Sequence, residues 1–96
     1  MYILKKPQVG GEVLPHIDST FLQTEPPRVL GVWLALEDAT TENGCLYGLP
    51  GSYLDKRPER LFQRVDDACF FEGKDPEWRE EDFIPIEVEQ GSAIVF

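Results

Sequence analysis

The sequence predicts an all-β fold, a double-sheet or jelly-roll arrangement that lacks its last strands. Three observations carry this reading. Short runs of β-branched, aromatic and aliphatic residues alternate with turns built from Gly, Pro and Asn, the spacing of sandwiches and barrels. The run over residues 29–36 (Val-Leu-Gly-Val-Trp-Leu-Ala-Leu) has no polar face, as expected of a buried strand. About six candidate strands can be counted against the roughly eight of a jelly roll, which leaves unpaired edges at the end of the chain.

Residues 1–4 (Met-Tyr-Ile-Leu) read as a first strand that begins without a lead-in, as if Met1 were an internal methionine, and Pro7 and Gly10-Gly11 end it. Residues 13–21 form a second extended segment, broken by Thr24-Glu25-Pro26-Pro27. Residues 29–36 make the strongest strand, apolar on both faces and therefore central. The turn signal Glu42-Asn43-Gly44 closes it. Residues 45–49 form a short strand stopped by Pro50-Gly51. Between residues 54 and 82 the pattern predicts short helical turns, one over 58–64 with Pro58 at its first position and one opening at Asp75-Pro76-Glu77-Trp78. Strands over 84–88 and 92–96, joined by a Glu89-Gln90-Gly91 turn, complete the chain. The 96 residues amount to a single, incomplete domain.

The formal charge of −9 argues against a phosphate-binding surface, so nucleic acid and anionic membrane are excluded as partners. No apolar run approaches the roughly 20 residues of a membrane span. Cys45 and Cys69 are isolated, and Lys5-Lys6-Pro7 interrupts the only apolar stretch near the N-terminus, so no signal peptide is read and the thiols are expected reduced. The expected location is intracellular, cytoplasmic by default, with organelle targeting left open if residues precede Met1.

Chemistry concentrates in His16-Ile17-Asp18, which holds the only histidine. In extended backbone, residues two apart point to one face, so an imidazole and a carboxylate converge on one ion. A His-x-Asp pair with a further His from elsewhere is the facial triad of non-haem Fe(II) oxygenases. The triplet also has a plain structural reading, in which Asp18 caps the Ser19-Thr20 turn and His16 packs against Pro15. A zinc site from Cys45, Cys69, His16 and Asp18 conflicts with the close ligand pairing such sites use, and Cys45 as a nucleophile lacks a second His as base. Trp33 reads as a core aromatic, Lys5 and Arg28 as solvated or ion-paired cations, and residues 72–82 as an acidic solvated loop.

The blocks Met1-Tyr2-Ile3-Leu4-Lys5-Lys6-Pro7, Gly10-Gly11-Glu12-Val13-Leu14-Pro15-His16-Ile17-Asp18, Gly31-Val32-Trp33-Leu34-Ala35-Leu36-Glu37-Asp38-Ala39-Thr40, Glu42-Asn43-Gly44-Cys45-Leu46 and Leu49-Pro50-Gly51-Ser52 occur in one order. Together they resemble the phytanoyl-CoA dioxygenase (PhyH) family, most of all its branch of phytanoyl-CoA dioxygenase domain-containing proteins. Gly91 to Phe96 is similar to the family's Gly-x-x-x-x-Phe strand, and residues 54–84 match poorly. The resemblance implies a double-stranded β-helix (jelly roll, cupin-like), with Fe(II) as cofactor and 2-oxoglutarate as co-substrate. It implies His16 and Asp18 as metal ligands and Met1 and Trp33 as contacts to 2-oxoglutarate. It also implies a small-molecule substrate, hydroxylated at a C–H bond as 2-oxoglutarate is decarboxylated.

The family's third ligand, a His, and the Arg that clamps 2-oxoglutarate follow the strand that ends here at Phe96. Tyr53 stands where many relatives have His, and Ile17 replaces a common Gln. The expectation is therefore a fragment or shortened product of an Fe(II)/2-oxoglutarate-dependent dioxygenase of hydroxylase type, inactive alone and carrying the His-x-Asp half of the iron site. The alternative is a non-catalytic, metal- or protein-binding truncated isoform. Neither substrate nor oligomeric state follows from the residues.

Overall fold

The structure, a computed structural model, describes residues 1–26, 28–54, 60–74 and 76–96. Six strands order the chain: β1 (Val32–Leu34), β2 (Leu46–Gly48), β3 (Arg60–Val65), β4 (Ala68–Gly73), β5 (Ile84–Ile86) and β6 (Ala93–Val95). Short 3-10 turns lie at Asp18–Thr20, Ser52–Leu54 and Glu80–Asp82. With strands dominant and no α-helix among the described residues, the all-β expectation holds.

Every strand pair is antiparallel, and the pairs are nested. The β3–β4 hairpin lies within the β2–β5 pair, which lies within the β1–β6 pair. The chain thus runs out along one side of a ribbon and returns along the other. The outer ladder extends beyond its named strands. Gly31 and Phe96 exchange both backbone hydrogen bonds (2.6 and 3.0 Å), Ala35 N–H donates to Ser92 O (2.9 Å), and Ala35 O accepts from Gly91 N–H (2.8 Å). The Phe96 ring lies over Gly31, where a Cβ would come within 2.8 and 2.9 Å of ring carbons, so a larger residue there would have to displace that ring.

Ala39 and Val88 continue the pairing through a reciprocal bridge (2.9 and 3.0 Å). One side then runs from Ala39 to Leu46 while the other runs only from Val88 to Ile86, so residues 40–45 loop out. The sequence explains how that loop closes. Asn43 Oδ1 accepts from Thr40 N–H (2.7 Å), and its amide donates to Asp38 O (2.7 Å). Thr40 O accepts from both Gly44 and Cys45 (3.0 and 2.8 Å). Gly44 sits at φ 94, a conformation that costs glycine nothing. The Asn-Gly signal therefore marks a real turn.

Several expectations are corrected. Residues 1–4 form no strand, since among the described residues nothing pairs with their backbone; the nearest ladder is the Lys6–Val9 bridge. Residues 13–21 are not a strand either, and end in the Asp18–Thr20 turn. The run over 29–36 shortens to β1 and is not central. Among the described residues it pairs with β6 alone, leaving Val32, Leu34 and Leu36 exposed. Of the helix expected over 58–64, Pro58 and Glu59 lie outside the described residues, and the rest belongs to strand β3. Asp75 also lies outside them; Pro76, Glu77 and Trp78 are not helical, and the turn comes later, at Glu80–Asp82.

Burial is thin. Among the described residues only Ala35, Ala39 and Cys45 are buried apolar ones, with Thr20 as the buried polar one. The accessible surface is 8383 Å², against about 5,600 Å² expected for a folded monomer of this mass. The radius of gyration is 15.0 Å, against about 12.5 Å for a compact domain of this length. Too little apolar surface is removed from water to outweigh chain entropy. Residues 1–96 expressed alone are therefore expected to bind a hydrophobic dye such as ANS and to melt without a sharp transition; calorimetry and dye fluorescence check this.

Candidate metal centre and adjoining cleft

His16 and Asp18 converge as the spacing predicts, although no strand holds them. Ile17 between them is extended (φ −112, ψ 125), which turns its two neighbours to one side. His16 Nε2 lies 3.3 Å from Asp18 Oδ1. The backbone then tightens into the 3-10 turn: Thr20 N–H donates to Ile17 O (2.9 Å), and Phe21 and Leu22 N–H both donate to Asp18 O (3.0 Å each). No side chain caps that turn, so a capping role does not account for the Asp18 carboxylate.

The other face of the imidazole explains more. His16 Nδ1 is 2.9 Å from Leu14 O. A carbonyl oxygen only accepts, so Nδ1 carries a proton and donates, which leaves Nε2 facing the Asp18 carboxylate. A lone pair on Nε2 facing a carboxylate oxygen repels it. The approach becomes favourable when a cation, a proton or a metal ion, is shared between them. Two donors each about 2.0 to 2.2 Å from one ion and at right angles to each other lie about 3.0 Å apart, close to the observed spacing. As an ion pair the contact would contribute little: both side chains are more than a third exposed (45% and 38%), and such pairs are worth about 0 to 1 kcal/mol. An imidazole nitrogen and a carboxylate oxygen on one side of the chain are a donor set that a divalent metal ion accepts. Among the described residues no third His, Cys, Asp or Glu joins the pair.

The other expected residues lie apart. Met1 is fully exposed, and Trp33 is half-buried on β1 opposite Ile94. Neither lines the cleft beside His16. Cys45 is buried and Cys69 exposed, both as free thiols.

That cleft has a volume of about 480 Å³ and is walled by Val13, Leu14, His16 and Phe21, with Glu12 and Arg60 as its charged residues. One wall is closed by an aromatic cluster. Phe21 meets His16 edge-on (6.1 Å between centroids) and packs on Phe71 (5.9 Å) and Phe62 (6.2 Å), while Phe62 and Phe71 meet at 5.3 Å. Gln23 Nε2 donates to Phe62 O (2.7 Å), a second tie between the site's loop and β3. The Arg60 guanidinium stacks over the Phe71 ring at 3.7 Å. A smaller cavity of about 220 Å³ is flanked by Asp38, Glu87 and Glu89. Asp38 and Glu87 there accept from the backbone N–H groups of Gln90 and Thr41, so they serve the ribbon.

The family model for phytanoyl-CoA dioxygenase (PhyH) matches residues 1–96. The chain belongs to the phytanoyl-CoA dioxygenase family. It is 46% identical over 95 residues to phytanoyl-CoA dioxygenase 1 of Oryza sativa subsp. japonica, a match covering 99% of this chain and 34% of that protein. To phytanoyl-CoA dioxygenase domain-containing protein 1 of Mus musculus it is 46% identical over 99 residues, again 99% of this chain and 34% of the other. The Dictyostelium discoideum homolog of the same protein is 40% identical over 99 residues, covering 99% and 35%. The chain thus spans about a third of the length of the curated relatives it matches. Phytanoyl-CoA dioxygenase family membership agrees with the family resemblance carried by the sequence blocks of residues 1–52.

Sequence reasoning misses Arg60, Phe62 and Phe71, because residues 58–64 read as helical and residues 65–71 are assigned to no element. The available signal was Asp66-Asp67 between apolar runs. Val65 pairs directly with Ala68 across these two residues, with Asp66 at φ 55, a conformation aspartate tolerates. Phe21 is the contact on which the hairpin meets the site, so Phe21→Ala is expected to cost about 1 to 2 kcal/mol, its half-exposed position discounting a full aromatic burial. Denaturant unfolding of the complete gene product checks this, and a double-mutant cycle with Phe71→Ala should return a favourable coupling.

Proposed function

We propose that these residues supply two of the three protein ligands, and part of the pocket, of an Fe(II)- and 2-oxoglutarate-dependent oxygenase of hydroxylase type. The observation that carries this reading is the His16–Asp18 pair, with Nδ1 committed to Leu14 O and Nε2 turned toward the carboxylate. Family membership supports it. The nested antiparallel ribbon supports assignment to a jelly roll, since that fold is a long hairpin ribbon wrapped into two sheets.

In this reading His16 Nε2 and Asp18 Oδ1 hold the metal. Such a centre supplies oxidative decarboxylation of 2-oxoglutarate coupled to hydroxylation of a substrate C–H bond. The chain's own residues orient and shield. The Leu14 carbonyl fixes the imidazole ring and its tautomer, the kind of outer contact that raises ligand basicity. The Phe21 ring against His16 limits water on that side. Met1 and Trp33 take the 2-oxoglutarate contacts by their positions in the family pattern. The substrate is a small molecule occupying the cleft beside His16. Among the described residues no helix is long and apolar enough to cross a membrane.

Cobalt(II) titration of the complete gene product, followed by its visible absorption, tests the ligand assignment. His16→Ala and Asp18→Ala should each weaken binding by at least about 100-fold, beyond the loss typical of an outer contact. Both should abolish iron-dependent succinate formation. Unchanged affinity in either variant would overturn the assignment. Residues 1–96 alone, lacking a third ligand among those described, are expected to form no succinate from 2-oxoglutarate, and product analysis by mass spectrometry checks this.

A further inference from the structure

We propose that Thr20 is a specificity-determining residue whose side-chain hydroxyl selects occupants of the cleft that carry a neutral hydrogen-bonding group on an apolar body. This assignment rests on the reading of the cleft beside His16 as the substrate pocket, and it names the chemistry of the occupant. Thr20 is the buried polar residue among those described, 7% exposed, and it borders the cleft. Its backbone N–H is engaged by Ile17 O. Its Oγ1 takes part in no hydrogen bond with the described residues. Nor is that oxygen sealed off: among the described residues no side-chain nitrogen or oxygen is both closed to solvent and unpartnered. The hydroxyl therefore opens onto accessible space, and the space that Thr20 borders is the cleft.

The surroundings decide what that hydroxyl does. Val13, Leu14 and Phe21 make the neighbouring walls apolar, so an occupant is drawn in by its apolar body and displaces solvent from the lining. Oγ1 then keeps a partner only if the occupant brings one. A purely apolar occupant orphans the hydroxyl and binds more weakly for it, whereas an occupant with an alcohol group replaces the lost bond. The other polar side chains of the lining are placed differently. His16 is held between Leu14 O and the Asp18 carboxylate, Arg60 is engaged on Phe71, and Glu12 is exposed. Thr20 is also firmly placed. It closes the 3-10 turn that begins at Asp18, and the next residue, Phe21, packs on Phe62 and Phe71. A polar group bound by Thr20 is thereby held beside the His16–Asp18 pair.

The test is binding of benzyl alcohol and of toluene, which share a ring and differ in one hydroxyl, to the complete gene product, followed by ligand-observed NMR. Toluene has the larger intrinsic drive to leave water, so the readout is the ratio of the two affinities and its change on substitution. Thr20→Val keeps the branched shape and removes the hydroxyl. It should weaken benzyl alcohol and strengthen toluene, moving the ratio by at least about fivefold. Thr20→Ser should hold the ratio within about twofold of the wild type. Thr20→Ala replaces the valine variant if that one does not fold, with the same shift expected. Equal losses for both probes, which a merely structural role would produce, overturn the proposal. So does an unchanged ratio, or no binding of either probe by the wild type. Manganese(II) separates this assignment from the metal reading, because an ion at His16 and Asp18 should broaden the lines of a bound probe. A ratio that shifts as expected without such broadening sustains the Thr20 assignment and removes the metal reading. Broadening with an unchanged ratio does the reverse.

Discussion

The pairing of residues 31–35 with 91–96 is the constraint on which the rest of the ribbon depends. Among the described pairings it closes the longest loop, and its ladder includes the reciprocal backbone hydrogen bonds of Gly31 and Phe96. The β2–β5 pair and the local β3–β4 hairpin are nested within it, and because closure entropy grows with loop length, forming them shortens what the outer ladder has to close. The Ala39–Val88 bridge carries the same register inward. Beyond it, the 40–45 loop absorbs the mismatch between the two sides.

The hairpin at the centre of this nest performs a different task. β3 and β4 bury little of themselves, yet they bring Phe62, Phe71 and Arg60 against the loop that carries His16. A ribbon whose strands are largely exposed thereby gains one organised corner. Its order comes from aromatic edges, one side-chain hydrogen bond and a stacked guanidinium. The His16–Asp18 contact itself contributes almost nothing to stability at its exposure.

Much of this was legible in the residues, for reasons that can be stated. The all-β class followed from turn chemistry, and Asn43-Gly44 and Gly91 fall where the ribbon turns. β2, β5 and β6 lie within their expected segments because each is short, apolar and bounded by Gly or Pro. Residues 1–4 looked like a strand on composition, but a strand exists only with a partner, and composition cannot supply one. Residues 60–64 looked helical because Pro58 suits a helix start, while cross-strand pairing with 69–73 overrode that preference. At the site, His16 and Asp18 were readable from local spacing alone, since one extended residue suffices to align them. Arg60 was not, because its approach depends on a hairpin dozens of residues away.

The central claim is that Leu14 O sets the His16 tautomer so that Nε2 and Asp18 Oδ1 share a metal ion. A crystal structure of the complete gene product loaded with manganese(II) and 2-oxoglutarate tests it most directly. The account predicts one ion bonded to His16 Nε2 and to an Asp18 carboxylate oxygen, with Nδ1 still donating to Leu14 O. An ion bound through His16 Nδ1, or bound without Asp18, would contradict it.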